Sequence, residues 1–199
     1  MRACDECGNH ALAPRRLEGV DVEECSLCGH LQGDDRAVAQ VEQGRAARER
    51  GLDPEVYPLV LALEKVPTFA VEGATAGEAG RGDYPFVFLR LDPQGLADLE
   101  RLLTVLEMAN HATRRRWVVE CALQRGLLFI LRPRFWKPVT AITADDVEAS
   151  RADLRVLAEV LSRNVAASWW RERRPPPPGP VARDRAPLAP RPAPPAGPR

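Results

Sequence analysis

The chain has 199 residues and a mass of 22.0 kDa, enough for one medium domain and a small module, with 28 basic residues against 28 acidic. A net charge of zero excludes a whole-chain pull toward nucleic acid or an anionic membrane, so any such contact must come from local clusters. All the aromatic residues lie between Tyr57 and Trp170, which marks 53–170 as the stretch able to bury a core and leaves both flanks needing another source of order.

The first flank has such a source in Cys4-x2-Cys7 and Cys25-x2-Cys28. Four thiols in two such pairs close a tetrahedral site for one structural zinc ion. The opening Met-Arg-Ala-Cys carries no apolar signal region, and no apolar run nears membrane-spanning length. A cytoplasmic location without membrane contact is therefore expected, and in that reducing setting paired cysteines bind metal rather than form disulfides. No βαβ pattern surrounds the pairs, which argues against a redox Cys-x-x-Cys. His10 and His30 are read as solvated or as donors outside the ligand set. Gly8 and Gly29 follow Cys7 and Cys28 and suit the left-handed backbone that turns amides toward sulfur. Between the pairs, Leu12, Leu17, Val20 and Val22 predict two short strands with a bend at Glu18-Gly19. So short a segment has no core of its own. Zinc binding, about 10–16 kcal/mol in finger peptides, supplies the missing stability.

These residues resemble the transcription-factor-IIB-type zinc-ribbon family. The matching positions are Cys4, Cys7, Gly8, Gly19, Val20, Val22, Cys25, Cys28, Gly29 and, loosely, Asp34, over residues 3–36. Asp5 and Ser26 stand where the family carries proline, His30 replaces its second glycine, and no Trp follows. The resemblance implies a zinc ribbon and, more remotely, an accessory role in transcription. Residues 1–35 carry three arginines against eight acids, a net of −5. Phosphates are repelled by such a surface, so the ribbon is expected to touch protein or its own chain.

A helical connector is assigned to 36–52, capped by Asp34-Asp35 and ending at Gly51, with a thin apolar face through Val38 and Val41. The α+β domain is assigned to 53–172. Asp53-Pro54 opens its first helix, with Val56, Leu59, Val60 and Leu63 buried. Strands follow at Thr68–Val71 and Pro85–Leu91, separated by a loop holding Gly73, Gly77, Gly80 and Gly82. Asp92-Pro93 opens a helix with Leu96, Leu99, Leu103 and Leu106 on its buried face. Arg116–Leu123 and Leu127–Arg132 form a hairpin turning near Gln124–Gly126, with Cys121 as a buried thiol. Thr143-x-x-Asp146 is an acidic capping box for a last helix burying Val147, Leu154, Leu157, Leu161 and Val165. The expected architecture is α+β, a ββαββα-like antiparallel sheet with helices on one face. From 173 to 199 the chain is rich in Pro and Arg and is expected to be disordered.

No phosphate loop, dinucleotide fingerprint, His-Glu-x-x-His pair or nucleophile elbow is present. His111 is read as the end of a helix and Asp145-Asp146 as helix-start charges rather than as catalytic groups. One constellation stands outside the ribbon. Arg114-Arg115-Arg116-Trp117 precedes one hairpin strand, and Arg132-Pro133-Arg134-Phe135-Trp136-Lys137 follows its partner, so both converge at the open end. From 112 to 140 seven basic residues face one acid, a net of +6. Arginines with aromatics bind phosphates and stack on unpaired bases. The plainer expectation is that they solvate the strand ends and pair with acids of neighbouring helices or the ribbon. A basic hairpin can also dock on the acidic ribbon, within one chain or across a dimer.

Three function classes follow. The first is a non-enzymatic module for association with an unidentified protein or with a second copy, its zinc held by Cys4, Cys7, Cys25 and Cys28. The second is nucleic-acid binding through Arg114, Arg115, Arg116, Arg132, Arg134 and Lys137. The third is an enzyme whose site lies in the central domain and has no sequence motif.

Overall fold

Two antiparallel sheets and four α-helices make up the described part of the chain, residues 2–81, 83–123 and 127–166 of a computed structural model. The 173–199 tail, Trp169-Trp170 and the Gln124–Gly126 turn lie outside the described residues.

The first sheet is β1 (Leu12–Leu17), β2 (Val20–Cys25) and β3 (Leu31–Gln32), in that order. Glu18 and Gly19 join β1 to β2 with φ of 48° and 76°, the two positive φ values of a turn whose twist matches a two-residue hairpin. A helix α1 (Asp35–Glu49) follows; Asp34 caps it by accepting the N–H groups of Arg36 and Ala37 at 3.0 and 3.2 Å. Gly51, at φ 68°, closes it.

The connector packs more firmly than its thin apolar face suggests. Val41 of α1 joins Val22 and Leu31 of the ribbon in a small core, with Leu17, Val20, Ala37 and Val38 packed around it. Gly44 lies so close to Glu18 that an added Cβ would sit 2.6 Å from the Glu18 Cδ. Arg45 and Arg48 then pair with Glu24 and Glu18. The ribbon's acids are thus met by α1, and among the described residues no ion pair joins ribbon to hairpin, contrary to the docking considered from charge alone.

Helix α2 (Tyr57–Glu64) begins later than Asp53-Pro54 suggests. The Asp53 side chain accepts the Glu55 N–H at 2.9 Å, and the Asp53 carbonyl takes the N–H groups of both Val56 and Tyr57. A turn therefore forms first, and Pro58, lacking an N–H, falls harmlessly in the first helical turn.

The larger sheet holds β4 (Phe69–Thr75), β5 (Phe86–Leu91), β6 (Trp117–Leu123) and β7 (Leu127–Pro133) in the order β4-β5-β7-β6, every pair antiparallel. Gly73 belongs to β4 rather than to the loop, because a bulge between Val71 and Gly73 carries the strand past its expected end. Val87 faces Leu131 and Leu89 faces Phe129 across β5 and β7, and all four are buried. Alternate residues, Phe86, Phe88, Leu128 and Ile130, are only half-buried, so the core lies on one face of this sheet.

Two helices complete this domain. In α3 (Leu96–Asn110) the buried stripe is Leu102, Val105, Leu106 and Ala109, while Leu96 and Leu103 are exposed. The expected face was rotated: helix begins only at Leu96, after an Asp92 turn, and Val105 and Ala109 take the inward positions. Helix α4 (Ala144–Ala166) packs on α2 and α3 and buries Val147, Leu154, Leu157, Leu161 and Val165 as the sequence predicts. Each fully buried leucine contributes about 1.5–3 kcal/mol relative to exposure. Its capping box is formed: Asp146 Oδ2 accepts the Thr143 N–H at 2.7 Å, and Thr143 Oγ1 accepts the Asp146 N–H at 3.3 Å. Cys121 is exposed, not buried. It sits on edge strand β6, opposite Phe129 and toward the hairpin tip. Among the described residues no helix is long and apolar enough to cross a membrane.

Candidate metal centre

The two Cys-x2-Cys turns are built alike. Cys4 N–H donates to the Asn9 carbonyl at 2.9 Å and Gly8 N–H to the Cys4 carbonyl at 2.8 Å. In the second turn Cys25 N–H donates to the His30 carbonyl at 2.9 Å and Gly29 N–H to the Cys25 carbonyl at 2.8 Å. Gly8 and Gly29 take φ of 71° and 73°, values that a side chain would strain although open space surrounds both positions. Cys25 ends β2, where Leu12 of β1 is its partner in register, so the hairpin fixes the second turn over the first.

The four sulfurs converge. Cys4 Sγ lies 3.6 Å from Cys28 Sγ and Cys7 Sγ 3.6 Å from Cys25 Sγ, with all four within 4.8 Å of one another. A tetrahedral ion with metal–sulfur bonds of about 2.3 Å sets its sulfurs about 3.8 Å apart, so this group fits one metal ion. The first cysteine of each turn is buried and the second exposed. Each pair therefore presents one inner and one outer sulfur.

Protonation agrees with such a site. Hydrogen bonds from the Asn9 backbone and then its side chain draw the Cys7 thiol down to about 6, with Asn9 Nδ2 at 3.5 Å from the sulfur. At Cys28 the His30 backbone favours the thiolate, but local desolvation and the other three sulfurs outweigh it and push this thiol up to about 12. Clustered sulfurs cannot all ionise without a compensating cation. Asn9 went unread in the sequence; its signal is an amide two residues after the second cysteine of a turn. Neither His10 nor His30 belongs to the ligand group.

The basic segments do meet at the hairpin's open end, where Trp117 pairs with Pro133 and Arg134 N–H donates to the Arg116 carbonyl at 2.7 Å. Most of their charge is engaged within the chain. Arg115 Nη2 contacts Asp146 Oδ1 at 2.7 Å, and Lys137 pairs with the other oxygen of the same carboxylate. Arg116 pairs with Glu107 at 2.7 Å and Arg132 with Glu120 at 2.7 Å. Arg134 lies over the Trp136 ring at 4.0 Å, and the Arg114 side chain has no ion pair among the described residues. Asp153, 1% exposed, accepts the N–H groups of Arg114 and Arg115 at 2.7 and 2.8 Å. A carboxylate inside α4 thus holds the arginine run, a role hidden in the sequence because the partners are 38 and 39 residues apart.

Comparison with protein-family models, with curated proteins and with solved structures finds no match to this chain.

Proposed function

We propose that this is a non-enzymatic zinc-ribbon protein of the transcription-factor-IIB type, with one structural zinc on Cys4, Cys7, Cys25 and Cys28, acting in the cytoplasm by association with another protein or a second copy. The observation that carries the reading is the convergence of four sulfurs within 4.8 Å from two matching turns. Soft thiolates in that disposition select zinc over hard cations. When bound, the ion supplies folding energy to a segment with a small core and leaves no open coordination position for substrate or water. The ribbon's net charge of −5 disfavours phosphate. The ion pairs at Arg115, Arg116, Arg132 and Lys137 favour the same conclusion for the hairpin. Affinity capture on the full-length chain, with and without nuclease, tests the reading. A partner, or a second copy by light scattering, should survive nuclease and be lost in Cys4→Ser/Cys25→Ser. Capture that nuclease abolishes would overturn it.

A second reading has one observation in its favour. Trp136 is 80% exposed and carries Arg134 on its face, an arrangement suited to an unpaired base. Steeply salt-dependent binding of single-stranded oligonucleotides, weakened by Trp136→Ala, would establish it.

A further inference from the structure

Between the ribbon and α1 lies a cavity of about 410 Å³ that the metal centre does not use. Gln32 of β3 lines it and is only 8% exposed, yet its Oε1 has no hydrogen-bond donor among the described residues. Native folds rarely leave such an oxygen unserved, so Gln32 Oε1 is an unmet acceptor beside the cavity. Asp5 of the first cysteine turn and Asp35 and Glu42 of α1 also line the cavity. None of the three has an ion pair among the described residues, and all are exposed. Asp35, Val38 and Glu42 are spaced to share one face of α1, so the helix presents an acidic stripe with an apolar centre. Arg2 is the one arginine on the lining, outnumbered three to one by the carboxylates.

The three carboxylates beside that acceptor favour a cationic ligand, and a bare metal ion does not suit. Among the described residues the cysteines form the only group of three or more ligating side chains that could hold a metal ion, so these carboxylates do not converge on a point. A planar guanidinium does suit, because its five N–H donors fan out toward several acceptors at once.

We propose that this cavity binds an arginine side chain of a protein partner, the guanidinium donating to Gln32 Oε1 and pairing with Glu42, Asp35 and Asp5 while its stem lies on Val38. This deepens, and rests on, the association reading. The zinc-loaded full-length protein is titrated with N-acetyl-arginine amide and, separately, with its neutral isostere N-acetyl-citrulline amide, followed by ¹H–¹⁵N NMR. The arginine probe should shift the Gln32 side-chain amide and the Gly33 and Glu42 backbone amides saturably, on the order of millimolar, and citrulline should not. Glu42→Gln, an exposed change that preserves the fold, should weaken binding about threefold, and Gln32→Leu at least as much. If Gln32→Leu disturbs the ribbon spectrum, Asp35→Asn/Glu42→Gln takes its place. Equal shifts from citrulline, shifts spread over unrelated acids, or an unchanged Glu42→Gln would overturn the proposal. The two readings fail separately. A captured partner indifferent to Glu42→Gln overturns the arginine site and not the association. A probe site in a protein that captures nothing overturns the association alone.

Discussion

Asp153 of α4 receives the indole N–H of Trp117 at 3.3 Å, and both side chains are 1% exposed. The same carboxylate takes the backbone N–H groups of Arg114 and Arg115, so three donors at the entrance to β6 depend on one acid from the last helix. That contact decides where the arginine run points: its backbone is tied inward while the Arg116 side chain turns out to Glu107.

The first prediction follows from this contact. Asp153→Ala leaves three donors unserved in a buried place and should cost about 3–5 kcal/mol. Glu107→Gln, which breaks only the exposed Arg116 pair, should cost less than about 1 kcal/mol. Urea unfolding followed by Trp fluorescence measures both. A loss at Asp153 no larger than that at Glu107 would show that the three donors find water.

Metal removal should act unevenly. The ribbon's core is little more than Val22, Leu31 and Val41, whereas the larger sheet and α2–α4 hold many fully buried side chains of their own. Chelation should therefore collapse hydrogen-exchange protection over 4–32 while α4 keeps its own. Metal analysis should give one zinc per chain, falling to none in Cys4→Ser/Cys25→Ser. Uniform loss of protection would mean that ribbon and sheet unfold as one cooperative body.

Metal uptake should also release protons. Cys28 is pushed up to about 12 in the metal-free cluster and keeps its proton at pH 8, whereas a metal-bound sulfur has lost it. Each zinc bound at pH 8 should thus free at least one proton, read with an indicator dye in weak buffer. Affinity should rise with pH through the neutral range, because the raised thiol ionises more readily the higher the pH. Cys7, drawn down to about 6, contributes its proton only when uptake occurs near or below that pH.

Local chemistry was legible in the sequence, and distant chemistry was not. The Glu18-Gly19 turn, the Asp34 cap, the Thr143–Asp146 capping box and the two Cys-x2-Cys turns are each written within a few residues, and each appears where expected. The α3 stripe was only partly placed, with Leu106 alone found among the buried four, because its leucines fit more than one face; packing against α4 and β6 selects Leu102, Val105 and Ala109 beside it. Pairing of the basic segments with acids of a neighbouring helix was legible as a class, but Asp146 as the partner of Arg115 and Lys137 was not, because it reaches them only through the fold. Gln32 carried no sequence signal at all, since an ordinary polar residue becomes unusual only once β3 and α1 enclose it.

Acid should expose the role of Asp146. The Lys137 ammonium, and then the Thr143 N–H and hydroxyl, hold its carboxyl well below the usual carboxylate range. A folded-state value depressed in this way gives stability that is fully present above the unfolded value of about 3.9 and is lost as pH falls through the folded one. Wild type should therefore exceed Asp146→Asn in urea midpoint at pH 6, and the gap should shrink steadily as the pH is lowered from 5 toward 2. Lys137→Met should close part of the same gap, since it removes the largest cause of the depression while leaving the capping box intact. A gap that stays constant with pH would assign the effect of Asp146 to packing and capping alone, with its charge contributing nothing.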